Sequence, residues 1–392
     1  MALSYHLSPP LCAQPFNTLD AATASTQVPH LATLTDFIQA IPKAELHCHL
    51  FGTVRRGTLE DLVRRENFPL SLEEVESFYI RGEKPVGVLR VLRALDAVLI
   101  KSPADLYRLT IEYLEDASRH NVRYAEFFWN PTGTAHASGI AYAPAADAIA
   151  QAVRDAQAQF GIIGRIIPSI DREASPEAAL EMVQWMQAHP IPEVIGIGID
   201  YRENDRPPEL FAQAYALAKK LGLKTTAHAG EFGMPWHNVR TAVDDIQVDR
   251  VDHGYTIADN PDLARQYAER GIVFTVVPTN SFYLRTLAPE RWAQDHPIRQ
   301  MAALGLALHP NTDDPTLHLV NPTQAWMMMV VNFGFEVPAL RQLMLNGLAA
   351  AWIDDATRQA WAQAWSADFD LLTTSLADTP YSISSNSPAP TL

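Results

Sequence analysis

From residue 122 onward the chain alternates strand-like and helix-like stretches with a regularity that leaves few folds open to it. Val122–Trp129, Ile162–Ile170, Val194–Asp200, Leu223–Ala229, Asp249–Gly254, Ile272–Pro278 and Leu306–Asn311 read as strands, and Ala44–Leu50 adds an earlier one. Helical periodicity fills the intervals over Ala143–Phe160, Pro176–Ala188, Pro208–Leu221, Trp236–Ile246, Asp259–Arg270 and Pro297–Leu304. Pro176 suits a first helical turn, and Gly222 and Gly271 are stops. Ile195-Gly196-Ile197-Gly198-Ile199 and Ile272-Val273-Phe274-Thr275-Val276-Val277 are apolar almost throughout, as in a parallel sheet covered on both faces. Eight such units predict an α/β fold, a (β/α)8 TIM barrel, with its chemistry at the C-terminal strand ends. A doubly wound open sheet is the structural alternative, and no G-x-G-x-x-G follows any of these strands to support it.

Helices are predicted to fill the gap after the first strand. Thr58 reads as an N-cap with Asp61 at the capping-box distance, and Val86–Ile100 and Pro103–Arg119 continue the helical period. A helical insertion this long could form a lid over a pocket. More helices are expected after the eighth strand. Residues 1–30, rich in Ser, Thr, Ala and Pro, read as a flexible N-terminal extension, and 376–392 as a flexible tail. A single barrel domain over 31–375 remains.

The formal charge of −15 disfavours nucleic-acid phosphates and anionic membranes as partners, and leaves small molecules open. Two cysteines, Cys12 and Cys48, build neither a disulfide framework nor a C-x-x-C site. The opening residues lack a basic stretch followed by an apolar run, so the chain reads as cytoplasmic. Its longest apolar run is too short for a membrane span. Nothing in the sequence speaks to oligomeric state.

The barrel reading demands functional groups where strands stop. The first strand ends on His47 and His49, spaced i and i+2 and so directed to one face, with Cys48 facing away toward packing. The fifth ends His228-Ala229-Gly230-Glu231, the sixth Val251-Asp252-His253-Gly254, and the eighth Thr312-Asp313-Asp314-Pro315. Each alone has a bland reading: a core histidine, a solvated glutamate, a turn before proline. Together they make a set of imidazoles and carboxylates suited to zinc or ferrous iron, with groups left over for proton transfer.

The segments Glu45-Leu46-His47-Cys48-His49-Leu50-Phe51-Gly52-Thr53, His228-Ala229-Gly230-Glu231, Arg250-Val251-Asp252-His253-Gly254 and Thr312-Asp313-Asp314-Pro315 resemble those of the adenosine/adenine deaminase family of metal-dependent amidohydrolases. The resemblance runs from about Ile41 to Leu348. It implies one Zn2+ per chain, with Fe2+ as the alternative, bound by His47, His49, His228 and Asp313. It also implies that Glu231 protonates the purine nitrogen beside the carbon under attack. His253 would hold the metal-activated hydroxide that adds to that carbon, ammonia would leave, and Asp314 would bond the imidazole side of the ring. The zinc deaminase design with H-x-E and P-C-x-x-C is absent.

Two departures concern the substrate. Family members carry Asp or Glu after His-x-His-Leu, where this chain has Phe51, which accepts no hydrogen bond from a sugar hydroxyl. The fourth strand ends Asp200-Tyr201-Arg202-Glu203, and Glu203 with Pro207-Pro208 resembles the adenine-type branch rather than the adenosine one. Phe51, Asp200, Glu203, Gly230 and Asp314 are therefore the expected substrate contacts, for an adenine- or adenosine-like aminopurine other than plain adenosine. Phe78, Tyr79, Tyr107, Phe282 and Tyr283 are aromatic candidates for stacking on a flat ring. An amidohydrolase acting on a cyclic amide or a pterin is the alternative enzyme. The two-metal version of it needs a bridging lysine that Asp200-Tyr201 does not supply. A non-enzymatic barrel is the remaining reading, although no catalytic position is lost.

Overall fold

In the computed structural model, described over residues 33–71, 73–75 and 88–377, eight parallel strands run in the order β1 to β8. They are β1 (Lys43–Glu45), β2 (Val122–Trp129), β3 (Ile163–Asp171), β4 (Gly196–Asp200), β5 (Lys224–Ala229), β6 (Arg250–His253), β7 (Val273–Val276) and β8 (Ala307–Pro310). Every neighbouring pair is parallel and in sequence order, the pattern of a (β/α)8 barrel. Ile166, Ile167, Ile197, Ile199, Val251, Phe274 and Val276 are buried, as the apolar strand runs require.

The seam between β1 and β8 is unusual. The β1 ladder ends at Glu45, short of the predicted Leu50, and the chain closes the barrel through an isolated Cys48–Asp313 bridge. His49 N–H donates to the Asp313 carbonyl at 2.8 Å, and Asp313 N–H donates to the His47 carbonyl at 3.0 Å. Leu46 N–H adds a bond to Asn311 Oδ1 at 2.8 Å.

The insertion after β1 is helical over Arg56–Glu66, Val88–Ala94, a π-turn at Leu95–Leu99, and Pro103–Ser118. Thr58 is not the cap: Arg55 holds that position, and the Thr58 hydroxyl donates instead to Glu112 on the facing helix at 2.6 Å. The true capping box is Ser102 with Asp105, followed by Pro103 at the first turn. Short helices at Pro131–Ser138, Ser281–Thr286 and Trp292–Asp295 have too few turns to show a period in the sequence. Helices Pro322–Val331, Val337–Ala350 and Asp355–Ala377 follow β8. The last continues past the boundary placed at residue 375. Residues 1–30, the rest of the tail, Phe78 and Tyr79 lie outside the described residues. No helix among those described is long and apolar enough to cross a membrane.

Candidate active site

Five elements deliver their ends to one point. His47 Nδ1 faces the Thr275 carbonyl and hydroxyl at 3.2 and 3.1 Å. A ring nitrogen against a carbonyl is a donor, so the Nε2 of His47 carries a bare lone pair. It lies buried without a hydrogen-bond partner, 3.4 Å from Asp313 Oδ1. His49 repeats the arrangement: its Nδ1 faces Asp200 Oδ2 at 3.3 Å, and its Nε2 lies 3.2 Å from Asp313 Oδ1. The His49 and His228 Nε2 atoms are 3.1 Å apart, and His228 Nδ1 faces Asp252 Oδ2 at 3.3 Å.

The Nε2 atoms of His47 and His49 thus lie 3.4 and 3.2 Å from Asp313 Oδ1, and those of His49 and His228 are 3.1 Å apart. A tetrahedral cation with bonds of about 2.0–2.2 Å needs ligand atoms roughly 3.3–3.6 Å apart, a spacing these three contacts approach. Like-facing lone pairs repel without one. His253 also brings a ligand-type atom within 4.8 Å of those of His47, His228 and Asp313.

Three residues holding these groups lie in left-handed backbone: Tyr201 at φ 66°, His253 at 65° and Asp313 at 64°. Such conformations are costly for bulky residues and gather at functional sites. The turn at His253 lets it join Asp252 in facing the barrel interior although the two are neighbours on a strand.

Around the cation position the proton-transfer groups are paired. Asn280 Nδ2 donates to Glu231 Oε1 at 3.1 Å, while Glu231 Oε2 lies 3.5 Å from His253 Nε2. His253 Nδ1 is 3.3 Å from the Tyr255 hydroxyl. Burial, then the charges of Asp313 and Glu203, raise the Glu231 carboxyl well above its usual range. Burial and His47 hold His253 well below the usual histidine value. A carboxyl that keeps its proton next to a neutral imidazole is an acid and a base set apart by their surroundings. Burial and Asp313 raise Asp314 to about 8. Against burial, the His47 and His49 rings beside it hold Asp313 well below the carboxylate range.

These groups floor a cleft of about 960 Å³, counted out to its open mouth. One wall is apolar: Leu50, Phe51, Leu92, Phe128, Trp129, Tyr201 and Phe232. Asp314 reaches the cleft with Oδ1 free of hydrogen-bond partners. Asp200 also lines it, but its two oxygens face His49 and Asn130 Nδ2, the latter at 2.8 Å. Glu203 points the other way, accepting from Gly230 N–H at 2.9 Å, Glu231 N–H at 3.1 Å and Asn238 Nδ2 at 2.8 Å. The Gly230 N–H is thereby spent inside the protein. Tyr107 lies outside the site and donates to Asp155 on a neighbouring helix at 2.8 Å. Phe282 lines a shallow extension of the mouth, and Tyr283 packs on Tyr255 and His296. Asn130, Asp252, Tyr255, Thr275 and Asn280 escaped the sequence reading, although Asp252, beside His253, and Thr275, within the seventh strand, stood in segments already singled out.

The adenosine deaminase family model matches residues 42–365. An adenine deaminase from Marinomonas sp. is 31% identical over 332 residues, 84% of this chain and 97% of that one. An amidohydrolase from Burkholderia ambifaria, solved with bound zinc, superposes with a TM-score of 0.88 at 60% identity, covering 91% of this chain and 98% of that one. The adenine deaminase of Arthrobacter aurescens superposes with a TM-score of 0.75 at 27% identity, over 86% of this chain and all of that one (100%). With the strand-end segments converging as the sequence resemblance required, the chain belongs to the adenosine deaminase family.

Proposed function

We propose that this protein is a zinc-dependent hydrolytic deaminase of an aminated purine, releasing ammonia. The observation that carries the reading is the approach of three histidine Nε2 atoms to Asp313 Oδ1 and to one another beside a cleft lined by Glu231 and Asp314, with His253 buried next to Glu231. His47, His49, His228 and Asp313 would hold the ion, and the zinc bound in the Burkholderia protein supports zinc as the metal. When bound, zinc lowers the pKa of water toward neutrality and so supplies a nucleophile.

The chain's own residues do the rest. Glu231, pinned through Oε1 by Asn280, gives its proton to the ring nitrogen beside the amino-bearing carbon. That removes aromatic stabilisation as the water oxygen adds to the carbon. His253, neutral and 3.5 Å from Glu231, takes the proton released by the water. The exocyclic amine takes up the proton held by His253, the C–N bond breaks as the added hydroxyl closes to a carbonyl and returns its proton to Glu231, ammonia leaves, and the ring nitrogen keeps the proton it received. Asp314, with Oδ1 unpaired, meets the imidazole edge of the base. Phe51 supports a purine carrying an apolar group, or no sugar, on that side, because its ring offers a hydroxyl nothing to bond. A reducing cytoplasm suits a chain whose buried Cys48 stays a free thiol within the site's own segment.

The test is ammonia release by zinc-loaded protein across adenine, N-substituted adenines, adenosine and aminated pterins. Glu231→Gln should lose roughly 10²- to 10⁴-fold in kcat with zinc content unchanged. Preference for adenosine over every other compound would sink the substrate assignment, and full activity in Glu231→Gln the mechanism.

A further inference from the structure

The Arg250-Val251-Asp252-His253-Gly254 segment buries three polar side chains, and the reaction above uses only His253. Asp252 has no exposure to solvent or to the cleft. Its Oδ2 lies 3.3 Å from His228 Nδ1 and accepts from the Thr226 hydroxyl at 2.9 Å. Its Oδ1 accepts from the Thr275 hydroxyl at 2.7 Å. That same hydroxyl oxygen is 3.1 Å from His47 Nδ1, while Asp252 Oδ1 is 4.0 Å from the same nitrogen.

The donor count has one direction. Thr275 has a single hydroxyl hydrogen, and Asp252 receives it, so the Thr275 oxygens are left to accept from His47 Nδ1–H. His228 Nδ1 likewise faces a carboxylate that has nothing to donate. Both rings therefore keep their proton on Nδ1 and present a bare Nε2 to the interior. A buried carboxylate is costly unless compensated. Arg250 Nε stands 4.0 Å away, and Arg250 is itself balanced by Glu126 at 2.5 Å.

We propose that Asp252 is a positioning residue for two of the three histidines, setting the tautomer and ring angle of His228 directly and, through the Thr275 hydroxyl, bracing the ring of His47, whose tautomer the Thr275 carbonyl fixes. The inference rests on the metal-site reading above. Outer carboxylates of this kind tune metal affinity without touching the metal.

The experiment is a zinc titration of chelator-stripped protein against a chromophoric competitor, with the thermal midpoint of each metal-free variant measured beside it. Asp252→Asn puts an N–H where an acceptor now stands, and should weaken zinc binding roughly 10- to 100-fold. Thr275→Val cuts the link to His47 while leaving the carboxylate and Arg250 in place. It should weaken binding severalfold, and Thr275→Ser should restore the wild-type affinity. A folded Asp252→Asn that binds zinc within twofold of wild type, even with a lowered midpoint, overturns the proposal. If Asp252→Asn does not fold, equal affinities of Thr275→Val and Thr275→Ser overturn it. Wild-type protein without zinc affinity would overturn the metal site as well. Tight zinc binding with no ammonia release from any aminopurine would overturn the deaminase reading and leave Asp252 its role.

Discussion

Gly52 shows how little space the reaction leaves. A Cβ built on it would lie 1.9 Å from Asp314 Oδ1 and 2.7 Å from the Asp314 Cα, a contact with backbone that no rotamer relieves. Gly230 is constrained for a second reason: it sits at φ 67°, and a Cβ there would meet the Thr256 hydroxyl at 2.4 Å. Displacing a substrate-facing carboxylate by about 1 Å costs roughly 10²-fold in rate. Gly52→Ala should therefore lose about that much in kcat/KM while binding zinc as wild type does. Steady-state kinetics on protein of known metal content decides it, and an active Gly52→Ala would show that Asp314 does not touch the base. In the sequence the glycine stood out only as part of the segment that carries the family resemblance. The contact with its partner 262 positions away did not, because close approach of two backbones has no signature in either segment.

Among the elements, the helix Val88–Ala94 forms the cleft's side wall through Leu92 and is fastened by Arg93. That guanidinium reaches Asp171 at 2.5 and 3.0 Å and Glu173 at 2.8 Å, and lies 3.8 Å from the centre of the Tyr201 ring. Three contacts from one side chain tie the insertion to the ends of β3 and β4. Arg93→Ala should raise KM by up to roughly tenfold, about 1.4 kcal/mol, and speed hydrogen exchange over 88–99 with zinc content unchanged. Unchanged exchange would refute the fastening. The helical insertion itself was legible, since apolar residues three and four apart mark helices. What fastens it was not: an ion pair between loop ends carries no period. The same limit explains the strand ends. His47, His49, His228, Glu231, His253, Asp313 and Asp314 stood out by type and position. The left-handed turns at Tyr201, His253 and Asp313 that aim them are tertiary, imposed on residues whose own preference is for extended backbone. Glu203 was read as a substrate contact from its place after β4, yet its carboxylate spans two backbone N–H groups from the loop after β5.

For the molecule as a whole, burial of neutral groups sets the response to acid. His296 packs among Tyr255, Tyr283, Trp292 and Phe333, and its Nδ1 accepts from Ile298 N–H at 3.3 Å. Burial pushes its pKa down to about 3, from 6.5 in the open chain. Below pH 6.5 the unfolded chain takes a proton that the folded ring refuses. Stability is therefore full above that pH and falls as the pH drops toward 3, by on the order of 4 kcal/mol across the window. His296→Asn keeps an acceptor for Ile298 and removes the titration. Urea denaturation at pH 7, 5 and 4 should show a shallower decline in the variant, and parallel declines would refute the argument.

Barrel closure has a further consequence for how the protein is made. Glu45 and Thr312, hydrogen-bonded across the seam at 2.9 Å, are 267 positions apart. While the chain grows on a ribosome, His47 and His49 emerge well before Asp313, the fourth ligand of the proposed metal site. Loading of all four proposed ligands must then wait for Asp313, and a product truncated before it would lack that proposed site and the last stitch of the cylinder together.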